Sequence, residues 1–279
     1  MILVTGATGQ VGRHLVAGLL AEGAPVRALT RNPDTAGLPA GAEVALGDPD
    51  RPETIAAALA GTTAVFVNVT AVGGLITELM AEAAQAGTRT AVMLSSLTVR
   101  DNGVQPYSIG AHHKAIEDVI MASGLDWTFL RCGGFAANTL AWAPMIRAEG
   151  VVRAPYLNAA TAPIAEQDIA AAAVRVLADG GHAGARYVLT GQESITQAGQ
   201  ARAIAAAIGR PLRVEELPAE EFRQAATAYL PAAAVDDMLR YFAEYVGRTA
   251  QMSPDLEAVT GLPATTFAEW ATGHTASFR

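Results

Sequence analysis

Near its start the chain reads MILVTGATGQVGRHLVAGLL, with Gly6, Gly9 and Gly12 at three-residue intervals between the apolar run Ile2–Thr5 and the amphipathic segment Val11–Ala21. Strand, glycine loop and helix in that order constrain the fold more than any other feature. Gly6 permits the tight turn, Gly9 lets the backbone approach a pyrophosphate, and Gly12 lets helix and strand pack closely. The amides of Thr8, Gln10 and Val11, together with the positive end of the helix dipole, supply donors for phosphate. A dinucleotide site is expected here; a tight strand–helix turn with no ligand is the competing interpretation.

The alternation that begins at the loop continues. Strands are predicted at Ile2–Thr5, Val26–Thr30, Glu43–Leu46, Ala64–Val69, Thr90–Ser95 and Thr128–Arg131, with helices near Val11–Ala21, Pro52–Ala60, Gly74–Ala86 and Ile109–Ala122. Strands separated by helices build a parallel sheet covered on both faces, so an α/β, Rossmann-type doubly wound sheet is expected. After about residue 135 the pattern loosens. Helices are predicted at Ile164–Ala178, Gln197–Ile208, Ala219–Ala226 and Ala233–Tyr245, with a strand at Ala185–Thr190. The chain thus divides into a cofactor-binding domain over residues 1–135 and a smaller, mostly helical substrate-covering lobe over 136–279, partly packed back on the sheet.

Composition excludes several function classes. Nineteen Lys and Arg against 27 Asp and Glu leave a net charge of −8 with no basic cluster, which argues against nucleic-acid binding. Cys132 is the single cysteine, so no intrachain disulfide and no cysteine-rich metal site is expected. No leader-like segment precedes the first strand and no apolar run is long enough to span a membrane, so a cytoplasmic protein is expected. Nothing in the sequence reports oligomeric state, and a homodimer stays open.

The second strand ends at Thr30-Arg31-Asn32. A site for NAD usually carries a carboxylate here for the ribose 2′-hydroxyl, whereas Arg31 suits the 2′-phosphate of NADP(H). Asp48, after the third strand, is placed to reach the adenine amino group or to cap the following turn.

With GATGQVG, TRNP, the GD after the third strand and SGLDWTFLRCGGFAAN, the chain resembles the NmrA-like branch of the atypical short-chain dehydrogenase/reductases. The resemblance runs on through YVLTGQESIT and TFAEW. It implies NADPH-dependent quinone reductases or cofactor-sensing proteins as relatives. It also implies that Asn68 and Val69, ending the fourth strand, line the cofactor cleft, and that Cys132, Phe135 and Asn138 lie near the nicotinamide end. Asp168 matches a family aspartate at a helix start and reads as a cap.

Ordinary members of that superfamily carry Tyr-x-x-x-Lys on the helix after the fifth strand, acid and lysine sharing one face. Glu117 stands six residues before Ser123, a spacing that puts Ile109 at the tyrosine position and His113 at the lysine position. Tyr107 falls two residues early and reaches the site only if the helix starts after it. His113 either holds the nicotinamide ribose, passes a proton, or pairs with Glu117. Ser95 and Ser96 end the fifth strand at the ligand-binding edge, where Ser96 is a candidate partner for a substrate carbonyl. His113, Ser96 and Tyr107 are therefore the catalytic candidates. The expected activity is hydride transfer from NADPH to a quinone or conjugated enone, on a small apolar or aromatic molecule. A non-catalytic redox sensor, and a tailoring enzyme of secondary metabolism acting on a polycyclic aromatic, are the alternatives.

Overall fold

A computed structural model describes residues 1–48, 51 and 53–279. In chain order its elements are β1 (Ile2–Val4), α1 (Gln10–Ala21), β2 (Val26–Thr30), β3 (Glu43–Leu46), α2 (Glu53–Leu59), β4 (Ala64–Asn68), α3 (Val69–Val72), α4 (Ile76–Gln85), β5 (Thr90–Ser96), α5 (Ser108–Ala122) and β6 (Asp126–Cys132). There follow α6 (Ala143–Glu149), β7 (Val151–Ala154), β8 (Ala160–Thr161), α7 (Glu166–Asp179), β9 (Ala185–Leu189), β10 (Ile195–Thr196), α8 (Gln197–Ile208), β11 (Arg213–Glu216), α9 (Ala219–Ala226), α10 (Ala232–Glu244), α11 (Asp255–Thr260), α12 (Phe267–Gly273) and α13 (Thr275–Phe278). Pro52, expected to open α2, lies outside the described residues.

The central strands are apolar at nearly every position because both faces are covered: β1 is wholly buried, and β4 is buried up to Asn68. Seven strands pair in the order β3-β2-β1-β4-β5-β6-β9, all parallel. Strand order reverses between β1 and β4, and the crevice outside their carboxyl ends is where an open α/β sheet takes its ligand. The doubly wound sheet expected from the alternation is therefore present.

Side-chain alternation sorts the core into two layers. Ile2, Val4, Phe66, Val92 and Leu130 meet Val11, Leu15, Ile169 and Ala173 of α1 and α7 on one face. Leu3, Val65, Val67, Met93 and Phe129 meet Leu79, Met80, Ile116 and Ile120 of α4 and α5 on the other. Gly18 lets α1 approach α7, since a Cβ there would stand 2.8 Å from Val174 Cγ2. Residues beyond 135 complete the sheet: β9 pairs with the outer edge of β6 and satisfies its ladder. A third apolar cluster, built on Ile146, Val152, Ile204, Phe267, Trp270 and Phe278, forms the core of the lobe beyond residue 135. Two small pairings in that lobe, β7 with β11 and β8 with β10, had no signal in the sequence. Their strands are two to four residues long, too short to display a period.

Gly12 is the least replaceable residue of the first turn, because a Cβ there would lie 2.1 Å from the Gly6 carbonyl oxygen. Gly12→Ala is predicted to cost about 3 kcal/mol, the upper end for overpacking, and to weaken cofactor binding. Gly74→Ala, where a Cβ meets nothing within 4 Å, should leave the melting temperature within about 2 °C. Thermal unfolding of the two variants compares them directly.

Candidate active site

At the end of β1 the backbone turns through Gly6 at φ +65°, and the Gly6 carbonyl accepts from Gly9 N at 3.0 Å. α1 then starts with neither a side-chain cap nor an acidic residue in its first turn. Its leading amides are left for an anion. Thr8 is half-buried, Gly9 and Gln10 are exposed, and Val11 points into the core, so Val11 offers only its backbone. Asn68 packs directly on Gly6: a Cβ on that glycine would stand 3.0 Å from Asn68 Cγ. Thr5 Oγ1 donates to Phe66 O and accepts from Asn68 N, stitching β1 to β4. Asn68 Oδ1 caps the next turn through Thr70 N, and Val69 is buried at the start of α3.

Arg31, past β2, is exposed and makes neither hydrogen bond nor ion pair among the described residues. Asp48 donates its amide to Thr54 Oγ1 at 3.0 Å and bridges to Arg51. An open helix N-terminus, a glycine that presses on Asn68 and an unpaired arginine beyond the second strand fit a phosphorylated dinucleotide.

On the far side of the crevice, α5 starts at Ser108, with Tyr107 in an extended conformation just before it. Ile109 is 46% exposed, and His113 lies one turn further on. His113 Nδ1 is 2.8 Å from the Ile109 carbonyl, which can only accept, so Nδ1 carries the proton and Nε2 is left as an acceptor. Burial pushes His113 below its ordinary value, with the Ile109 carbonyl and the nearby Glu117 opposing that shift in part. The pairing of His113 with Glu117 entertained from the sequence is not formed.

Glu117 instead anchors a buried network. It is fully buried and accepts from Ser95 Oγ at 2.6 Å, from Arg131 Nε at 3.0 Å and from Arg131 Nη2 at 2.7 Å. Arg131 continues to Asp101, and Asp101 to Arg186. Ser95 and Arg131 are register partners on β5 and β6, so both reach the same carboxylate. The Ser95 hydroxyl is thus held under α5. Ser96 points to the opposite face and shares a hydrogen bond with Thr98. Glu117 and Arg131 were not picked out as site residues from the sequence. The available signal was a charge inside the apolar strand segment TFLRC, which requires a buried partner.

Tyr107 is buried under α10. Its hydroxyl donates to Glu244 at 2.8 Å, its ring meets Tyr241, and the Arg240 guanidinium lies over its face. Burial first, then the Glu244 carboxylate, pushes its hydroxyl up to about 12. Cys132 sits in the layer shared with α1 and α7, 4% exposed, with its thiol pushed well above the ordinary range by burial. Phe135 packs between the sheet and the lobe, and Asn138 is exposed one turn later. Asp168 does not cap its own helix: it accepts from Thr265 N and Oγ1, tying the segment before α12 to α7. Among the described residues no group of His, Cys, Asp and Glu could hold a metal ion, and no helix is long and apolar enough to cross a membrane.

Comparison with known proteins agrees with this geometry. An NAD(P)H-binding family model matches residues 6–180. A (4-alkanoyl-5-oxo-2,5-dihydrofuran-3-yl)methyl phosphate reductase from Streptomyces griseus is 39% identical, covering 100% of this chain and 99% of the relative. An NAD(P)H azoreductase from Xenophilus azovorans is 34% identical, with the same coverage of both chains. Among solved structures, the NADPH complex of the Escherichia coli NADPH-dependent quinone oxidoreductase QOR2 superposes with a TM-score of 0.82 at 27% identity, covering 98% of this chain and 99% of that one. The chain belongs to the NAD(P)H-binding family and is an NAD(P)H-dependent oxidoreductase.

Two outcomes follow from α5 and its anchor. Removing either member of the Glu117–Arg131 pair leaves a buried charge, so Glu117→Leu or Arg131→Met should each cost about 3–5 kcal/mol. The double variant should cost at least about 1 kcal/mol less than the sum, measured by denaturant unfolding. For His113, the unfolded chain binds more protons than the folded one below its ordinary value of 6.5. Its contribution to stability is therefore present above that pH and lost as the pH falls. In His113→Gln, the drop in unfolding midpoint between pH 7.5 and pH 5.5 should be smaller than in the parent.

Proposed function

We propose that this oxidoreductase uses NADPH to reduce a quinone or a conjugated enone. The observation that carries the reading is on α5. Ile109 and His113 occupy the face where the superfamily's acid and lysine would stand, while the neighbouring Tyr107 hydroxyl is held by Glu244. Bound in the crevice, the reduced nicotinamide supplies a hydride at the carboxyl edge of the sheet. Reduction of an isolated ketone there would leave a strongly basic alkoxide with no positioned acid. A quinone or enone leaves a phenolate-like or enolate anion instead; a phenolic group has a pKa of about 10, so its proton can come from water.

The chain's own residues then have positioning roles. The uncapped amides of α1 and Asn68 hold the pyrophosphate side, and Arg31 selects the 2′-phosphate and hence NADPH over NADH. His113, with Nδ1 held by the Ile109 carbonyl, turns Nε2 toward a ribose hydroxyl. Ser96, at the edge of β5, is the candidate donor to a substrate carbonyl. The substrates in the relatives' names support this reading: an acyl-dihydrofuranone, an azo compound and a quinone are all conjugated acceptors. The same relatives are reductases, which speaks against the sensor alternative.

Loss of NADPH absorbance should be fast with menadione and with an α,β-unsaturated ketone, and at least about 10²-fold slower with the matching saturated ketone, the lower bound of what a positioned acid contributes. Comparable rates with the saturated ketone would refute the reading.

A further inference from the structure

Arg13, on the first turns of α1, is bound in an unusual way. Its Nε donates to Thr8 O at 2.9 Å, Nη1 to Gly37 O at 2.8 Å and Nη2 to Ala36 O at 3.0 Å. One side chain thereby joins the glycine loop to the segment that follows Arg31. Gly37 takes φ +56°, a conformation that glycine adopts without strain, and its carbonyl is one of the three acceptors.

All three acceptors are neutral carbonyls. Arg13 forms no ion pair with any described carboxylate, including that of Asp34 on the intervening turn Pro33–Thr35, and Arg31 likewise has none. A guanidinium has five N–H donors in a fixed fork, so two of Arg13's remain without a protein acceptor. Arg31 before the segment 32–37 and Arg13 bonded to its far end are therefore two cations without a carboxylate partner, in a chain of net charge −8 most of whose other arginines are paired. Two N–H donors of Arg13 are thus left over for an anion.

We infer that Arg13 is a second determinant of cofactor choice, acting with Arg31 on the 2′-phosphate of NADP(H). This rests on the NADPH preference proposed above. Arg13 comes to that phosphate already held by three hydrogen bonds, so little side-chain freedom is lost on binding, whereas Arg31 must be ordered by the ligand. It also ties down the loop beyond Arg31 through the Ala36 and Gly37 carbonyls.

Dissociation constants for NADP⁺ and NAD⁺ test this, measured by calorimetric titration on the parent, Arg13→Met, Arg13→Lys and Arg31→Ala. Arg13→Met should weaken NADP⁺ at least tenfold while changing NAD⁺ less than threefold. Arg13→Lys, which keeps the charge and loses the fork, should fall between parent and Arg13→Met. Equal losses for both cofactors in Arg13→Met would reduce Arg13 to a loop clamp and overturn the inference, as would no loss at all. A parent preference for NADP⁺ that Arg31→Ala abolishes and Arg13→Met leaves intact would sink this inference alone. A parent that binds both cofactors equally would sink the NADPH reading, and this inference with it.

Discussion

The carboxylate of Glu117, fully buried between α5 and the sheet, decides which face of α5 meets the crevice. It takes one hydrogen bond from Ser95 on β5 and two from Arg131 on β6. Those two residues are register partners, so the helix cannot rotate or slide without leaving a buried charge unmatched. With Glu117 turned inward, His113 and Ile109, one and two turns earlier, lie along the same side of the helix. The orientation of α5, and with it the placement of His113 and Ile109, thus depends on a buried carboxylate bonded to two strands.

Most of the first half was legible because its signals are local and redundant. Parallel strands covered on both faces are continuous apolar runs, and Gly6 and Gly12 mark the turn and the close approach that the backbone makes. Tertiary partners were less accessible. Asp168 looks like a helix cap in sequence, yet its carboxylate is used by Thr265, 97 residues away. Tyr107 looks like a displaced acid, yet its hydroxyl donates a hydrogen bond to Glu244 on α10. Ser95 and Ser96 read alike, but strand alternation sends one under α5 and the other to the opposite face. For Asp168 and Tyr107 the deciding contact spans too much sequence for spacing to reveal it.

The site that results is well supplied with groups that hold and poor in groups that donate protons. Amides at the start of α1, Asn68 against Gly6 and the cationic pair beside the second strand suit a phosphorylated dinucleotide. Opposite them stand an exposed aliphatic residue and a histidine whose pKa burial lowers. The proposed acceptors, whose reduced form is a stabilised anion, ask no more of the site than this.

The most direct test is the destination of the hydride in a single turnover with NADPH deuterated at the transferred position and an α,β-unsaturated ketone. Deuterium is expected on the β-carbon of a saturated ketone, with the α-carbon proton taken from solvent. Deuterium on the carbonyl carbon of an allylic alcohol would show that the site protonates an alkoxide, and would contradict the account.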